Sequence, residues 1–442
     1  MAIKRCAIVI TGASGDLAHK KLIPALDVLY SRNEICDSCI VVGTGRKPFT
    51  DEEFRRSFHV SEKFAQRIYY HQFFSGLKDF IESKGEFSRI VIFFALPPVA
   101  YETTARNLYE EGFRNGVSIV IEKPFGYDLQ SAKKLDKELS SCFNESQIFR
   151  IDHYLAKEAV QNIMVFRFSN PLFYPVWNSR FIESIQINAV EQATITQRGA
   201  YFDSAGIIRD MIQNHLLQLL ALLTMEAPVS LNAEDIRIQK INLLKTVSIE
   251  ECFRYQYEGY KLENGVDSDS DTETLAEMKL KINNFRWATT PVYIRTGKAV
   301  HRTGTEIGVK FKEVPKILYN EKGKLDQNKV IFKIQPAEGI VVDISTRAPG
   351  TESEINRSFM NYCMRDNYSG FIPEAYQRLL MDVLKGDHTL FVSAAETEVS
   401  WQLLDNILDK GELTLYKKGS LPAGKTDASW IDFDKYSNLC MY

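Results

Sequence analysis

Little in this 442-residue chain is extreme, and each shortage excludes a class of protein. Charge of one sign is missing: 54 Lys and Arg face 57 Asp and Glu, a net of −3. That is no footprint for nucleic-acid binding, although a few local lysines suffice for an anionic small molecule. Long apolar runs are absent too. The densest, Leu216–Leu223, falls far short of a membrane span. The apolar run within Met1–Ile10 is too short for the core of a signal peptide. Cysteine is sparse and odd in number, seven in all, at positions 6, 36, 39, 142, 252, 363 and 440. These are no disulfide framework and agree with a reduced, cytoplasmic setting. Cys36 and Cys39 form a C-x-x-C, by pattern a redox pair or half a zinc site. No second such pair or nearby His completes a tetrahedral set, so the pair reads as incidental and no metal is expected. Asp267, Asp269 and Asp271 alternate, but Thr272 and Met278 stand where a calcium loop needs Gly and Glu. The run reads as a solvated loop. With 45% hydrophobic and 25% charged residues, disorder and collagen are excluded.

What is present is a change of rhythm near residue 150. Before it, buried-strand runs at Cys6–Thr11, Cys39–Gly43, Ser88–Ala95 and Ser118–Glu122 alternate with helical patterns at Asp16–Tyr30 and Val99–Gly112. Alternation of this kind predicts a parallel sheet covered on both faces. After it come extended segments at Ile182–Ala189, Met278–Ile282, Pro291–Arg295, Ile307–Phe311 and Val330–Ile334. Helical patterns lie at Gly206–Leu223 and Glu374–Leu384. The expected fold is an α/β Rossmann dinucleotide-binding domain over 1–150, then a larger α+β domain with a mainly antiparallel sheet over 151–442.

The first strand runs into Gly12-Ala13-Ser14-Gly15-Asp16-Leu17-Ala18. Glycine lets backbone amides approach a pyrophosphate, and the following helix offers unpaired N–H groups and a positive dipole end. Strand before and helix after supply the context that a lone glycine pattern lacks. An NAD protein usually ends its second strand on an acid that holds the ribose 2′-hydroxyl. Here stand Gly43-Thr44-Gly45-Arg46-Lys47, which favours NADP. Lys123, after the Ser118–Glu122 strand, is placed to reach cofactor and substrate, and the proline after it is a candidate cis residue. The stretch Arg150–Glu158, RIDHYLAKE, suits phosphate binding or an ordinary solvated helix. On the Gly206–Leu223 helix, the α-helical period sets His215 over Met211 and Ile208. Either a satisfied core histidine or a general base fits there, and periodicity does not choose between them.

GASGDLA at 12–18, FFALPPVAYE at 93–102, EKPFG at 122–126, RIDHYLAKE at 150–158, YFDSAGIIRDMIQNHLLQ at 201–218, IRTGKA at 294–299 and GDHTLFV at 386–392 occur in this order. In this the chain closely resembles the glucose-6-phosphate dehydrogenase family. The resemblance implies that His215 is the base for the C1 hydroxyl of glucose 6-phosphate and that Asp152 orients it. It implies phosphate binding by His153, Tyr154 and Lys157, and sugar binding by Lys123, Glu191, Asp210 and Lys298. It implies a coenzyme site of Gly12, Ser14, Gly15, Asp16, Leu17, Arg46, Tyr101 and Lys123, with NADP as cofactor, and a homodimer or homotetramer. Ala156 replaces the family's usual Gly, residues 192–198 lack the usual glycines, and Arg302 is not in register for the family's second basic residue. The chain is short for the family, notably between Arg46 and Lys123. The other readings are a related Rossmann sugar oxidoreductase, which would lack RIDHY, and a silent NADPH-binding regulator, which would have lost the base, the lysines or the fingerprint.

Overall fold

Short apolar runs make the first sheet. In the computed structural model, which describes residues 5–196, 198–320, 325–351, 354–408 and 411–441, Cys6–Thr11 forms β1 with every residue buried. β2 (Ile40–Gly45), β3 (Ile68–Gln72), β4 (Arg89–Phe94), β5 (Val117–Ile121) and β6 (Ile148–Ile151) follow. They pair in parallel in the order β6-β5-β4-β1-β2-β3. Strands covered on both faces need apolar side chains at nearly every position, so they read as runs rather than alternations. Val9, Val42, Ile92 and Ile119 pack with Tyr101, Leu108 and Leu139 from the covering helices Tyr101–Glu110 and Leu129–Cys142. Strand order reverses beside β1, which leaves a crevice at the carboxyl ends of β1 and β4. The edge strand β3, IYYHQ, alternates in burial and gives no such run.

The second sheet holds β7 (Ile182–Val190), β8 (Val247–Tyr257), β9 (Leu275–Ile282), β10 (Val292–Gly297), β11 (Gly304–Phe311), β12 (Lys329–Gln335), β13 (Gly339–Arg347) and β14 (Ile355–Cys363). Two short strands follow in the chain. β15 (Phe391–Val392) returns to the first sheet, antiparallel to β6, and β16 (Leu413–Tyr416) joins the second. The second sheet runs β14-β13-β12-β11-β7-β10-β9-β8-β16. Its pairs are antiparallel except β7 with β10 and β8 with β16. All five extended segments expected from the sequence lie in or overlap these strands. β14, INRSFMNYC, is largely exposed and too polar to stand out.

The chain forms two units: 1–157, 228–238 and 372–401 in the first, and 158–227, 239–371 and 402–442 in the second. The late segment belongs to the first unit because β15 pairs with β6 and the helix Ala375–Lys385 packs on β4 and on the helix Ile23–Ser31. Arg237 joins it by donating to the Phe391 carbonyl at 3.1 Å. A division at residue 150 follows the chain's continuity, whereas these pairings join segments far apart in sequence. Among the described residues no helix is long and apolar enough to cross a membrane.

Two expectations are corrected. Cys363, the last residue of β14, is disulfide-bonded to Cys440, so the cysteines are not all separate thiols. The C-terminal segment reaches β14 because Phe433 and Tyr436 pack on Ile331 and Val341, and Lys333 donates to the Tyr436 and Ser437 carbonyls at 2.7 and 3.1 Å. Nor is the acidic run wholly a solvated loop. Its last residue, Glu273, is buried, paired with Arg254 at 3.2 Å and accepting the Ile208 N–H at 3.1 Å.

Candidate functional site

In the first unit the chain leaves β1 at Gly12 with φ +67°, and a Cβ there would lie 2.4 Å from the Ala95 carbonyl oxygen. Only glycine meets both demands. Gly15 closes the turn by donating to the Gly12 carbonyl at 2.9 Å, and Ala18 is fully buried where the helix meets the sheet. That helix begins at Asp16, directly after the glycine turn, and passes into a π-turn over Ala18–Leu22. Its first N–H groups therefore suit an external anion. Ser14 and Asp16 are exposed, and the Asp16 carboxyl is held below the usual range by its hydrogen bond from Lys20 at 2.8 Å. Arg46 is exposed one residue beyond β2. These features fit a dinucleotide cradle.

Tyr101 is fully buried, its hydroxyl donating to the Glu122 carbonyl at 3.0 Å. It braces the turn after β5 that carries Lys123. The Lys123–Pro124 peptide is cis, as the sequence reading anticipated. Two braces come from late in the chain and left no signal in the sequence: Trp401 Nε1 donates to the Phe125 carbonyl at 3.0 Å, and the Tyr376 hydroxyl donates to Glu122 Oε1 at 2.9 Å. Burial pushes the Glu122 carboxyl up to about 7. The Tyr376 hydrogen bond and the Lys123 charge oppose that rise, and the Asp152 carboxylate adds to it.

Within RIDHYLAKE the roles separate. Arg150 is buried in β6 and paired with Asp136 at 2.6 Å and Glu145 at 2.7 Å, a structural duty. Asp152 follows β6 and is buried, with Oδ1 accepting the Tyr154 N–H at 3.0 Å. His153 and Lys157 are half-buried and both flank the buried Tyr154, ring to ring at 5.2 Å and ammonium to ring at 5.2 Å. Ala156 is buried as well. His388 of the GDHTLFV stretch stacks on Phe149 at 3.7 Å, and burial with the Arg237 charge pushes it down to about 4. It is a neutral packing residue.

In the second unit, Glu191 and Lys298 follow β7 and β10, adjacent parallel strands in which Val190 pairs with Gly297. They therefore emerge together at the carboxyl ends of two central strands, and Lys298 Nζ lies 2.6 Å from Glu191 Oε2. Asp210 and His215 share the segment Ile208–Leu216, which packs on β10. That segment is π-helical, not α-helical, which corrects the helical wheel used above. The i to i+5 register of a π-helix turns Asp210 toward the face that holds His215. Gly206, with φ +71°, breaks the helix just before, where a Cβ would lie 2.4 Å from Glu273 Oε1. Asn214 Oδ1 accepts the His215 N–H at 2.7 Å. Arg302 is paired with Glu306 and, at 3.1 Å, with Asp434. The loop over 192–198 includes Gln197, which lies outside the described residues.

The comparisons agree over the whole length. The family model described as "Glucose-6-phosphate dehydrogenase, NAD binding domain" matches residues 9–162, and "Glucose-6-phosphate dehydrogenase, C-terminal domain" matches 164–434. The chain is similar to glucose-6-phosphate 1-dehydrogenase of Bacillus subtilis, at 37% identity over 469 residues covering 96% of each chain. Because 469 exceeds 442, the relative has residues without a counterpart here. A glucose-6-phosphate dehydrogenase solved in complex with its substrate glucose 6-phosphate superimposes with a TM-score of 0.90 at 33% identity, over 96% of this chain and 97% of that one. The Mycobacterium avium glucose-6-phosphate 1-dehydrogenase structure gives 0.86 at 29% identity, over 94% of each chain. A nucleotide-binding unit and a mainly antiparallel one, each matched by its own family model, make this chain a member of the glucose-6-phosphate dehydrogenase family.

Proposed function

We propose that this chain oxidises β-D-glucose 6-phosphate at C1 to 6-phospho-D-glucono-1,5-lactone with NADP, the first step of the oxidative pentose phosphate pathway. The observation that carries this reading is the whole-length likeness to a glucose-6-phosphate dehydrogenase solved with glucose 6-phosphate. His215, as neutral imidazole, takes the proton of the C1 hydroxyl while hydride leaves C1, and Asp152 orients the ring and stabilises the imidazolium. A bound nicotinamide dinucleotide supplies the hydride acceptor. His153, Tyr154 and Lys157 hold the phosphate. Lys123, Glu191, Asp210 and Lys298 hold the sugar, a role supported by the Glu191–Lys298 pairing at the carboxyl ends of two central strands.

Gly12, Ser14, Gly15, Asp16, Leu17, Arg46, Tyr101 and Lys123 form the coenzyme site, with Tyr101 acting through the turn it braces. NADP rather than NAD is supported by the exposed Arg46 and the lack of an acid in Gly43–Lys47. The working assembly is a homodimer or a homotetramer built from it. Exposed Phe359, Met360 and Tyr362 on the edge strand β14 support pairing of two copies.

The test is purified protein with glucose 6-phosphate and either NADP or NAD, followed by the absorbance of the reduced nicotinamide. Turnover with NADP is expected, and none with either coenzyme defeats the reading. Arg46→Ala should raise KM for NADP about 10- to 100-fold, the value of one charge-assisted phosphate contact, and leave KM for NAD nearly unchanged. Equal shifts would defeat the NADP assignment.

A further inference from the structure

The C-x-x-C of Cys36 and Cys39 has a third sulfur beside it. Cys6 opens β1 and Cys39 lies one residue before β2, and Ala7 pairs with Ile40 in parallel register. The two cysteines thus sit side by side at the amino ends of neighbouring strands. The Cys6 thiol donates to Cys39 Sγ at 2.8 Å, and the Cys6 backbone N–H donates to the same sulfur at 3.3 Å. From the other side Cys36 Sγ stands 3.1 Å from Cys39 Sγ. The turn holds it there, with the Cys39 N–H donating to the Cys36 carbonyl at 3.0 Å. Cys6 and Cys39 are 1% and 4% exposed, whereas Cys36 is only half-buried.

We propose that Cys39 and Cys36 are a reversible thiol–disulfide pair oxidised by small peroxides, with Cys6 the buried donor that activates Cys39. The Cys39 thiol is held below its ordinary range, chiefly by the hydrogen bond from Cys6 and against its own burial, while Cys6 is pushed up by the same bond. A thiolate is the nucleophile in such chemistry. Cys39 sulfur attacks one peroxide oxygen, the O–O bond breaks, and the departing hydroxide takes up the proton that Cys39 lost. The Cys36 thiol then attacks the resulting sulfenic sulfur. The S–S bond forms, the S–O bond breaks, and the second water leaves with the Cys36 proton. Two thiols lose two electrons and one hydrogen peroxide becomes two waters.

A zinc reading fits less well, because three sulfurs leave a tetrahedral zinc one ligand short and, among the described residues, no His, Cys or carboxylate joins them in a metal-holding cluster. Cys36 rather than Cys6 is the resolving partner because it lies in a turn open to solvent, whereas Cys6 belongs to the buried ladder of β1. The cluster occupies the opposite ends of β1 and β2 from Gly12 and Arg46, so its oxidation can be read separately from turnover.

The experiment treats pre-reduced full-length protein with hydrogen peroxide near neutral pH, alkylates, digests with trypsin and weighs the peptides. Asn33–Arg46 carries both Cys36 and Cys39, and Cys6 lies in another peptide. An internal disulfide in Asn33–Arg46 should form at least about tenfold faster than Cys142 or Cys252 oxidises, and dithiothreitol should reverse it. Cys36→Ser should abolish the disulfide and leave Cys39 as a dimedone-trappable sulfenic acid. Cys6→Ala should slow oxidation about tenfold, and Cys6→Ser, which keeps a donor, should retain most of the rate. Three results would overturn the proposal: oxidation of Asn33–Arg46 no faster than at Cys142 and Cys252, a cross-link to the Cys6 peptide instead, or stoichiometric zinc bound at these sulfurs in the isolated protein. The wild-type peptide readout decides even where a variant folds poorly.

Discussion

In the first unit the strands are apolar almost from end to end, and the polar chemistry gathers in the turns beyond them: Gly12–Leu17 after β1, Arg46 after β2, Lys123 after β5, and Asp152–Lys157 after β6. In the second unit charge is buried inside the strands and paired there. Glu277 of β9 accepts from Arg295 at 3.3 Å, Thr426 at 2.6 Å and Trp430 at 2.7 Å. Asp343 of β13 accepts from Arg357 and, at 2.7 Å, from Tyr436. The same observation, a buried polar side chain, therefore carries different information in the two units. In the first, buried pairing within a strand is the exception, as at Arg150 of β6, and the polar groups of the site stand in the turns. In the second it is the ordinary way the sheet is held, and His215, 1% exposed, is hidden among structural neighbours.

The sharpest way to break this contrast is His215→Asn. We expect kcat to fall about 10⁴-fold, the scale of losing a general base, with glucose 6-phosphate affinity and thermal midpoint nearly unchanged. Parallel loss of affinity and stability in a binding and melting series would make His215 one more structural polar group of the second unit.

Arg167→Met tests the other side. Its guanidinium donates to the Leu222 and Met225 carbonyls, at 2.5 and 2.6 Å, in the last turn and at the C-cap of the helix Leu217–Thr224, and burial pushes its pKa down only to about 9. It stays cationic at neutral pH. Removing it orphans two buried carbonyls, so urea unfolding should show a loss of about 3–4 kcal/mol. An unchanged midpoint would mean that buried charge in this unit is dispensable.

The smallest expected effect is in the first unit, at Glu122. Its carboxyl titrates near 7 in the folded protein against an ordinary 4.5, so the folded state binds more protons between those values. Stability therefore falls as pH rises through that window. Glu122→Gln should match the wild type at pH 4 and exceed it by up to about 3 kcal/mol at pH 8. Melting curves that stay parallel across the range would show that this carboxylate is well solvated.

How far these contrasts were legible in the chain depends on how local their causes are. β1, β2, β4 and β5 were readable because a doubly covered parallel strand is an apolar run. The phosphate turn was readable because its glycines, the buried strand before it and the helix after it lie within one short stretch, although the Ala95 carbonyl that Gly12 must admit comes from the distant end of β4. β8 and β14 were not, since their burial depends on partners rather than on a run. The π register of Ile208–Leu216 was missed because an α-helical period was assumed. Nothing in the nine residues themselves announces it, whereas Gly206 and the distant Glu273 set where the segment begins.

By itself, then, the sequence determined β1, β2, β4 and β5 of the nucleotide-binding unit with the helices that follow β1 and β4, the anion cradle after β1, and the set of motifs that mark the family. Each depends on backbone conformation, burial pattern or side-chain chemistry within a short stretch. Only the tertiary structure decided that Lys298 pairs with Glu191, that Tyr376 and Trp401 brace the turn of Lys123, that Cys363 bonds to Cys440, and that Cys6 stands against Cys39. Those contacts join residues from 33 to 276 positions apart. Closing loops of such length costs conformational entropy that only the packed sheets repay, so no local pattern records which residues will meet.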